Sequence, residues 1–459
     1  MSLRSQIVRR VIHPAWLIKD GRTHVLKYLR DFERSQFSPL EIVRGQQLQK
    51  LRLMVRHAYE NCDFYRKRFD SFGINPSRIE DFRDYCRIPL LTKRDIQDNL
   101  EELRAKNYSP DDLVANRTGG STGSPLRFYH DKERTLSMEA SALRHDSWAG
   151  YRLGDKLAVI WGHRQDLSAT QTFKRKIRNI LLDRCRILDS SSLTDEKMRL
   201  FAEDLREFQP ISILSYAKAM FFFARYCRAK GIMDIRPHSI ITSAEVLEEE
   251  ERKTIEEVFG CKIFNRYGCR EVSVIASECG EHQGMHLNAD ALYVEFVDQE
   301  GNPVGPGQPG NILITDLLNF GMPFIRYKIE DTGIPDDQQC PCGRGLPLMR
   351  MVAGRTTDFL KTPKGVSVSG SALTIYLITS VPGIKQAQII QDKIDHLLFK
   401  LVTGREFLEA GAQTFGKKVS EFFGGEMRYD IQYVEEIPKE ASGKYRFSIS
   451  LLKDEGSAR

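Results

Sequence analysis

Apolar and polar positions change rhythm three times along the chain. In the first hundred residues, Leu48, Leu51, Leu53, Met54 and Val55, then Ala58, Tyr59, Tyr65, Phe69 and Phe72, recur at helical spacing among arginines and lysines, which predicts helices. Thr92, ahead of Lys93-Arg94-Asp95-Ile96, is placed to cap another. Residues 131–148 predict a further helix. Short apolar runs at 157–161, 212–215, 239–242 and 262–264 read as buried strands separated by helical stretches, an alternation that indicates α/β layering. By the same rhythm, a helix-bearing segment is expected after Glu271. From 292–297 to 311–315 the pattern becomes a β-hairpin around a Gly/Pro-rich turn at 301–310. The last hundred residues read helix (371–381), strand (384–391), strand (396–402), helix (408–423) and strand (427–434), a compact α+β unit. The boundary is expected near Thr357, giving domains 1–356 and 357–459.

At 459 residues the chain exceeds the size at which one core stops growing, so two domains agree with the pattern. Its 68 basic residues nearly balance 62 acidic ones; the small excess suits anionic small substrates and argues against a nucleic-acid partner. No apolar run approaches the ~20 residues of a membrane span. The N-terminus lacks a signal peptide's apolar stretch, and nine scattered cysteines suit reduced thiols, so a cytoplasmic protein is expected.

Five segments carry candidate chemistry. Arg117-Thr118-Gly119-Gly120-Ser121-Thr122-Gly123-Ser124-Pro125 mixes glycines, which let backbone N–H groups turn toward an anion, with hydroxyls that donate to phosphate oxygens. No lysine lies within it and no Gly-Lys-Ser/Thr ends it, so it is not the common nucleotide loop. Asn265-Arg266-Tyr267-Gly268-Cys269-Arg270-Glu271 puts an aromatic ring able to cover a base beside a carboxylate able to hold Mg²⁺. Asp331, in Arg326-Tyr327-Lys328-Ile329-Glu330-Asp331-Thr332-Gly333, can accept both hydroxyls of a ribose. Arg355, in Gly354-Arg355-Thr356-Thr357-Asp358, could bind ribose or phosphate, with the adjoining residues acting as a hinge. Lys444, beside Gly443, is placed to stabilise charge on an attacked phosphate.

In this order and spacing the segments resemble the adenylate-forming superfamily. Within it they are most similar to phenylacetate–CoA ligases and their capsular-polysaccharide-associated relatives. The resemblance extends to Arg56–Arg66 and 88–93 and so covers nearly the whole chain. It implies a large α/β N-terminal domain of layered sheets and helices, with a small mobile α+β C-terminal domain. It further implies an ATP-dependent, AMP-forming ligase acting on a small carboxylic acid, with coenzyme A as acceptor. Residues 118–123 would bind phosphate, Tyr267 and Gly268 adenine, Glu271 Mg²⁺, Asp331 and Arg355 ribose, and Lys444 would be the adenylation lysine. Arg270 stands where the superfamily usually has threonine, and Thr357 where the hinge usually has an acid. The acid itself and any homodimer stay open. Three other readings stand beside CoA transfer: passage of the acyl group to an amine or hydroxyl, adenylylation as the final product, and a binding protein whose catalysis has decayed.

Cys279 and His282, then His286, are followed some sixty residues later by Cys340-Pro341-Cys342. Paired Cys and His ligands from two segments match a structural Zn²⁺ site. The Cys-x-x-His spacing favours His282 over His286 as the fourth ligand.

Overall fold

In the computed structural model, the described residues are 3–452 except 119–125, 163–177, 191, 299, 354–358, 365–366, 370–372, 375–376, 378–380, 382, 405–406, 408, 424–426 and 438–447. Gly119, Gly120, Ser121, Thr122, Gly123, Arg355 and Lys444 therefore lie outside them, as does the expected boundary at Thr357. Two compact units divide the chain, and both are discontinuous in sequence.

Residues 1–117, 126–155 and 264–354 make the first unit. Its helix Leu40–Asn61 buries Leu51, Met54, Val55 and Ala58 along one face. Leu53 lies off that face and is 57% exposed; Phe72, just past the helix Asp63–Ser71, is also exposed. Thr92 caps as expected: its hydroxyl accepts the Asp95 N–H, and the Asp95 carboxylate accepts the Thr92 N–H. The helix Lys132–Trp148 starts one residue later than its apolar pattern, with Asp131 as its cap.

An antiparallel series of strands forms the centre of this unit. In spatial order they are Leu292–Val297, Gly310–Asp316, Tyr327–Asp336, Leu348–Ala353, Met285–Leu287, Ser273–Glu278 and Lys262–Cys269, the last belonging to this unit from Phe264 on. The hairpin 292–316 is thus as predicted. After Glu271, however, the chain forms the strand Ser273–Glu278 in place of the expected helix. Alternation of parallel strand and helix stops here, and Val272 and Ile275 turn β-favouring side chains into the core.

The second unit takes residues 118–125, 156–263 and 355–459. Strands Ser239–Ser243, Ser212–Tyr216, Leu157–Trp161 and Cys185–Asp189 pair in parallel in that order. Helices Asp195–Phe208, Ala217–Ala229 and Glu249–Phe259 pack with them around Ile160, Ile213, Phe223 and Ile240, the α/β layering that the pattern predicts. Toward the C-terminus, Arg428–Tyr433, His396–Thr403, Ile384–Lys393 and Ser448–Ser450 form a mixed sheet. The helix Glu409–Phe423 contributes Phe415 and Val419 to its separate core.

Candidate functional site

Close packing builds the candidate site in the first unit. Strands Lys262–Cys269 and Ser273–Glu278 pair with a bulge between Tyr267 and Gly268. A Cβ at Gly268 would stand 2.4 Å from the Ser273 carbonyl oxygen, so only glycine fits this approach. Ser273 reverses the chain at φ +66.

Asp331 lies in a bulge of its own strand. Between the pairs Leu313↔Lys328 and Asn311↔Thr332, one strand advances two residues while the other advances four. Glu330, at φ +65, is part of this irregularity. The bulge aims Asp331 at Tyr267, whose phenol donates to Asp331 Oδ2 at 2.8 Å. Tyr267 is half-buried against the core and keeps part of its ring open. The expected base-covering ring and ribose acid are thus in direct contact.

The Glu271 turn is fixed from below at two successive carbonyls. His130 Nε2 donates to the Glu271 carbonyl at 2.7 Å, and Arg134 donates to that of Val272 at 2.8 Å. Burial lowers the His130 pKa, favouring the neutral ring. Asn116 Nδ2, 3.2 Å from Nδ1, selects the tautomer that carries its proton on Nε2. Arg134 is fully buried and also holds Asp316 at 2.6 Å and Ser137 at 3.1 Å. The Glu271 carboxylate is half-buried and accepts the Tyr327 phenol at 3.2 Å. Beside it, burial pushes the Cys269 thiol well above its ordinary range, so it stays protonated. His130 and Arg134 are positioning residues that motif reading does not reveal. Thr118 is half-buried and follows the strand Leu113–Arg117, which pairs with Arg127–Asp131 so that Arg117 faces Arg127.

A second cluster forms at neighbouring strand ends. Met285–Leu287 lies between Ser273–Glu278 and Leu348–Ala353, and so brings Cys279, His286, Cys340 and Cys342 together. Their ligand atoms all fall within 4.8 Å of one another. Cys279 Sγ is 3.6 Å from Cys340 Sγ, and Cys342 Sγ is 3.3 Å from His286 Nε2. Zn–S bonds of ~2.3 Å in a tetrahedron set ligand atoms roughly 3.8 Å apart, so the donors match in type, number and spacing. Burial lowers the His286 pKa to about 4, leaving a neutral ring whose Nδ1 faces the Leu346 carbonyl at 3.4 Å. Burial also pushes Cys279 up to about 12. His282, favoured by spacing, is not in the cluster. At φ +52 its turn carries the ring against Phe264, with Nδ1 3.3 Å from the Glu278 carboxylate.

The fold is that of adenylate-forming CoA ligases. A 2-hydroxyisobutyryl-CoA ligase, solved with 2-HIB-AMP and CoA, superposes with a TM-score of 0.63 at 18% identity over 91% of this chain and 92% of that one. The same enzyme in its postadenylation state gives 0.61 at 19% identity, over 91% of each. Residues 360–450 match the CapK C-terminal domain family. A phenylacetate-coenzyme A ligase of Thermus thermophilus is 26% identical over 396 residues, covering 83% of this chain and 86% of its own. Protein CapK of Staphylococcus aureus is 23% identical over 473 aligned positions, covering 94% and 100%. Over most of its length the chain is similar to phenylacetate-CoA ligases and CapK proteins, and its fold is the one seen in adenylate-forming CoA ligases.

Proposed function

We propose that the protein is an ATP-dependent, AMP-forming ligase that activates a small carboxylic acid as its acyl-adenylate and passes the acyl group to coenzyme A. The observation that carries this reading is the contact of Tyr267 with Asp331 beside the pinned Glu271 turn, the three side chains that this reading gives to adenine, ribose and Mg²⁺. In the first step a carboxylate oxygen bonds to the α-phosphorus and pyrophosphate leaves. In the second the CoA thiol attacks the acyl carbonyl, loses its proton, and AMP leaves. Asp331 accepts ribose hydroxyls, Tyr267 covers the adenine, and residues 118–123 and Arg355 contact phosphate and ribose. Lys444, in a mobile C-terminal domain from residue 357, stabilises charge as the acid attacks. Glu271 retains free lone pairs for Mg²⁺, which offsets phosphate charge when bound.

Trp161 and Tyr216, with ring centroids 4.1 Å apart at the carboxyl ends of adjacent parallel strands, support an acyl pocket for an apolar or aromatic acid. Cys279, His286, Cys340 and Cys342 would hold a structural Zn²⁺, since four protein ligands leave no open position. The nine cysteines form no disulfide, and no described helix is long and apolar enough to cross a membrane. A second reading passes the acyl group to an amine or hydroxyl in place of the CoA thiol.

Pyrophosphate release with a panel of acids, followed by product mass with CoA or amines added, tests both readings. Lys444→Ala should lower single-turnover pyrophosphate release by at least 100-fold, since one placed donor is worth ~3–4 kcal/mol in the transition state. Asp331→Ala should instead weaken ATP affinity by roughly 10- to 100-fold. Release from wild type with no acid tested, despite measurable ATP binding, would leave a binding protein.

A further inference from the structure

Residues 3–19 form one helical run, Leu3–Ile7, Val8–Ile12 and His13–Lys19, the middle stretch wound as π-helix. One side is docked on the first unit. Val8, His13 and Leu17 are buried, and Arg9 Nε donates to the Leu153 carbonyl at 3.0 Å. Gly154, at φ +88, allows the approach, because a Cβ there would meet the Ser5 carbonyl at 2.9 Å.

The opposite side is apolar and open. Leu3 is 73% exposed, Ile7 45%, Val11 61% and Ile18 68%. These positions fall on one narrow stripe, and the wider π turn brings Val11 back into line with Leu3. Exposed Arg10 flanks the stripe on one side, with Arg4 and Lys19 on the other. Residues 3–19 contain no acidic side chain. A helix packed on a water-soluble domain ordinarily turns polar residues outward, and this one does the reverse.

We propose that this outward face docks on an anionic membrane surface. The helix lies in the membrane plane, with Leu3, Ile7, Val11 and Ile18 entering the boundary between headgroups and acyl chains. Arg4, Arg10 and Lys19 reach lipid phosphates on either side. A second copy of the chain fits less well, because a two-fold contact would set the same cations against each other.

Flotation of the full chain tests the proposal, using phosphatidylcholine vesicles with and without about one-third phosphatidylglycerol. Wild type should float with the anionic vesicles, lose binding as salt rises, and ignore phosphatidylcholine alone. Arg4→Gln/Arg10→Gln/Lys19→Gln should lower partitioning roughly 100-fold, about fivefold for each cation. Ile7→Glu/Val11→Glu should abolish it. All five positions are exposed, and the contact of Lys19 with the Trp16 ring is a surface one, so melting temperature should stay close to the wild-type value and pyrophosphate release unchanged in both variants, separating lost docking from lost fold. Absence of wild-type binding, equal binding to both lipids, or variants that float like wild type would each overturn the proposal. So would a dimer broken by Ile7→Glu/Val11→Glu in a protein that ignores vesicles, which would assign the face to a second copy.

Discussion

Glu245 shows how one side chain can set a pH dependence without belonging to the site. Its carboxylate accepts the Lys218 N–H at 2.9 Å at the start of the helix Ala217–Ala229. The surrounding protein still pushes its pKa up to about 7, mainly by desolvation, from an ordinary value of 4.5. Because the folded value is the higher one, the folded state holds the proton more tightly. The group's contribution is full below pH 4.5 and is lost as pH rises through about 7. Glu245→Gln keeps the acceptor and removes the charge. It should therefore raise stability above pH 7 by roughly 1–2 kcal/mol, allowing for partial exposure of the carboxyl. Melting curves at about pH 5 and about pH 8 measure this, and an unchanged gap between them in the variant would reject it. At this scale Tyr267, Glu271 and Asp331 stood out through the order and spacing of their segments, and the contact of Tyr267 with Asp331 agrees with that grouping. His130 and Arg134 were not. Their partners are carbonyls 141 and 138 positions away, and such pairings leave no local pattern.

Among the elements, the hairpin around Glu271 decides the geometry. Its glycine was readable as a turn, but the strand that follows was not, because preceding strand–helix alternation set the expectation. Helix 132–148, strand 157–161 and the hairpin 292–316 were legible from periodicity alone. The Asp331 bulge was not, since a register shift depends on the partner strand. Gly268→Ala should destabilise by roughly 1–3 kcal/mol, because the new methyl must displace backbone rather than a flexible side chain. ATP affinity should fall with it as Tyr267 shifts. Denaturant melts and calorimetry read the two effects, and a variant matching wild type in both would remove the steric argument.

For the whole molecule, the choice between His282 and His286 has a measurable consequence. A core of this size folds without metal, so removing Zn²⁺ should loosen the first unit rather than unfold the chain. Chelation is expected to lower the melting temperature by roughly 5 °C. His286→Ala should lose the metal and His282→Ala should keep it. Elemental analysis of protein purified without added metal decides the matter, and zinc far below one per chain would leave four ordinary side chains.

The discontinuous first unit also has a consequence for synthesis on the ribosome. Its helices up to Asp155 emerge before its strands from Phe264 on, separated by residues 156–263 of the second unit. At ~5–20 residues per second, the interval is about 5–20 s. Throughout it, Leu51, Met54, Val55 and Ala58 have none of the sheet they finally bury against. The nascent chain therefore presents a long-lived apolar helix face, and its yield in a cell should depend on chaperones that shield such faces until residue 354 has emerged.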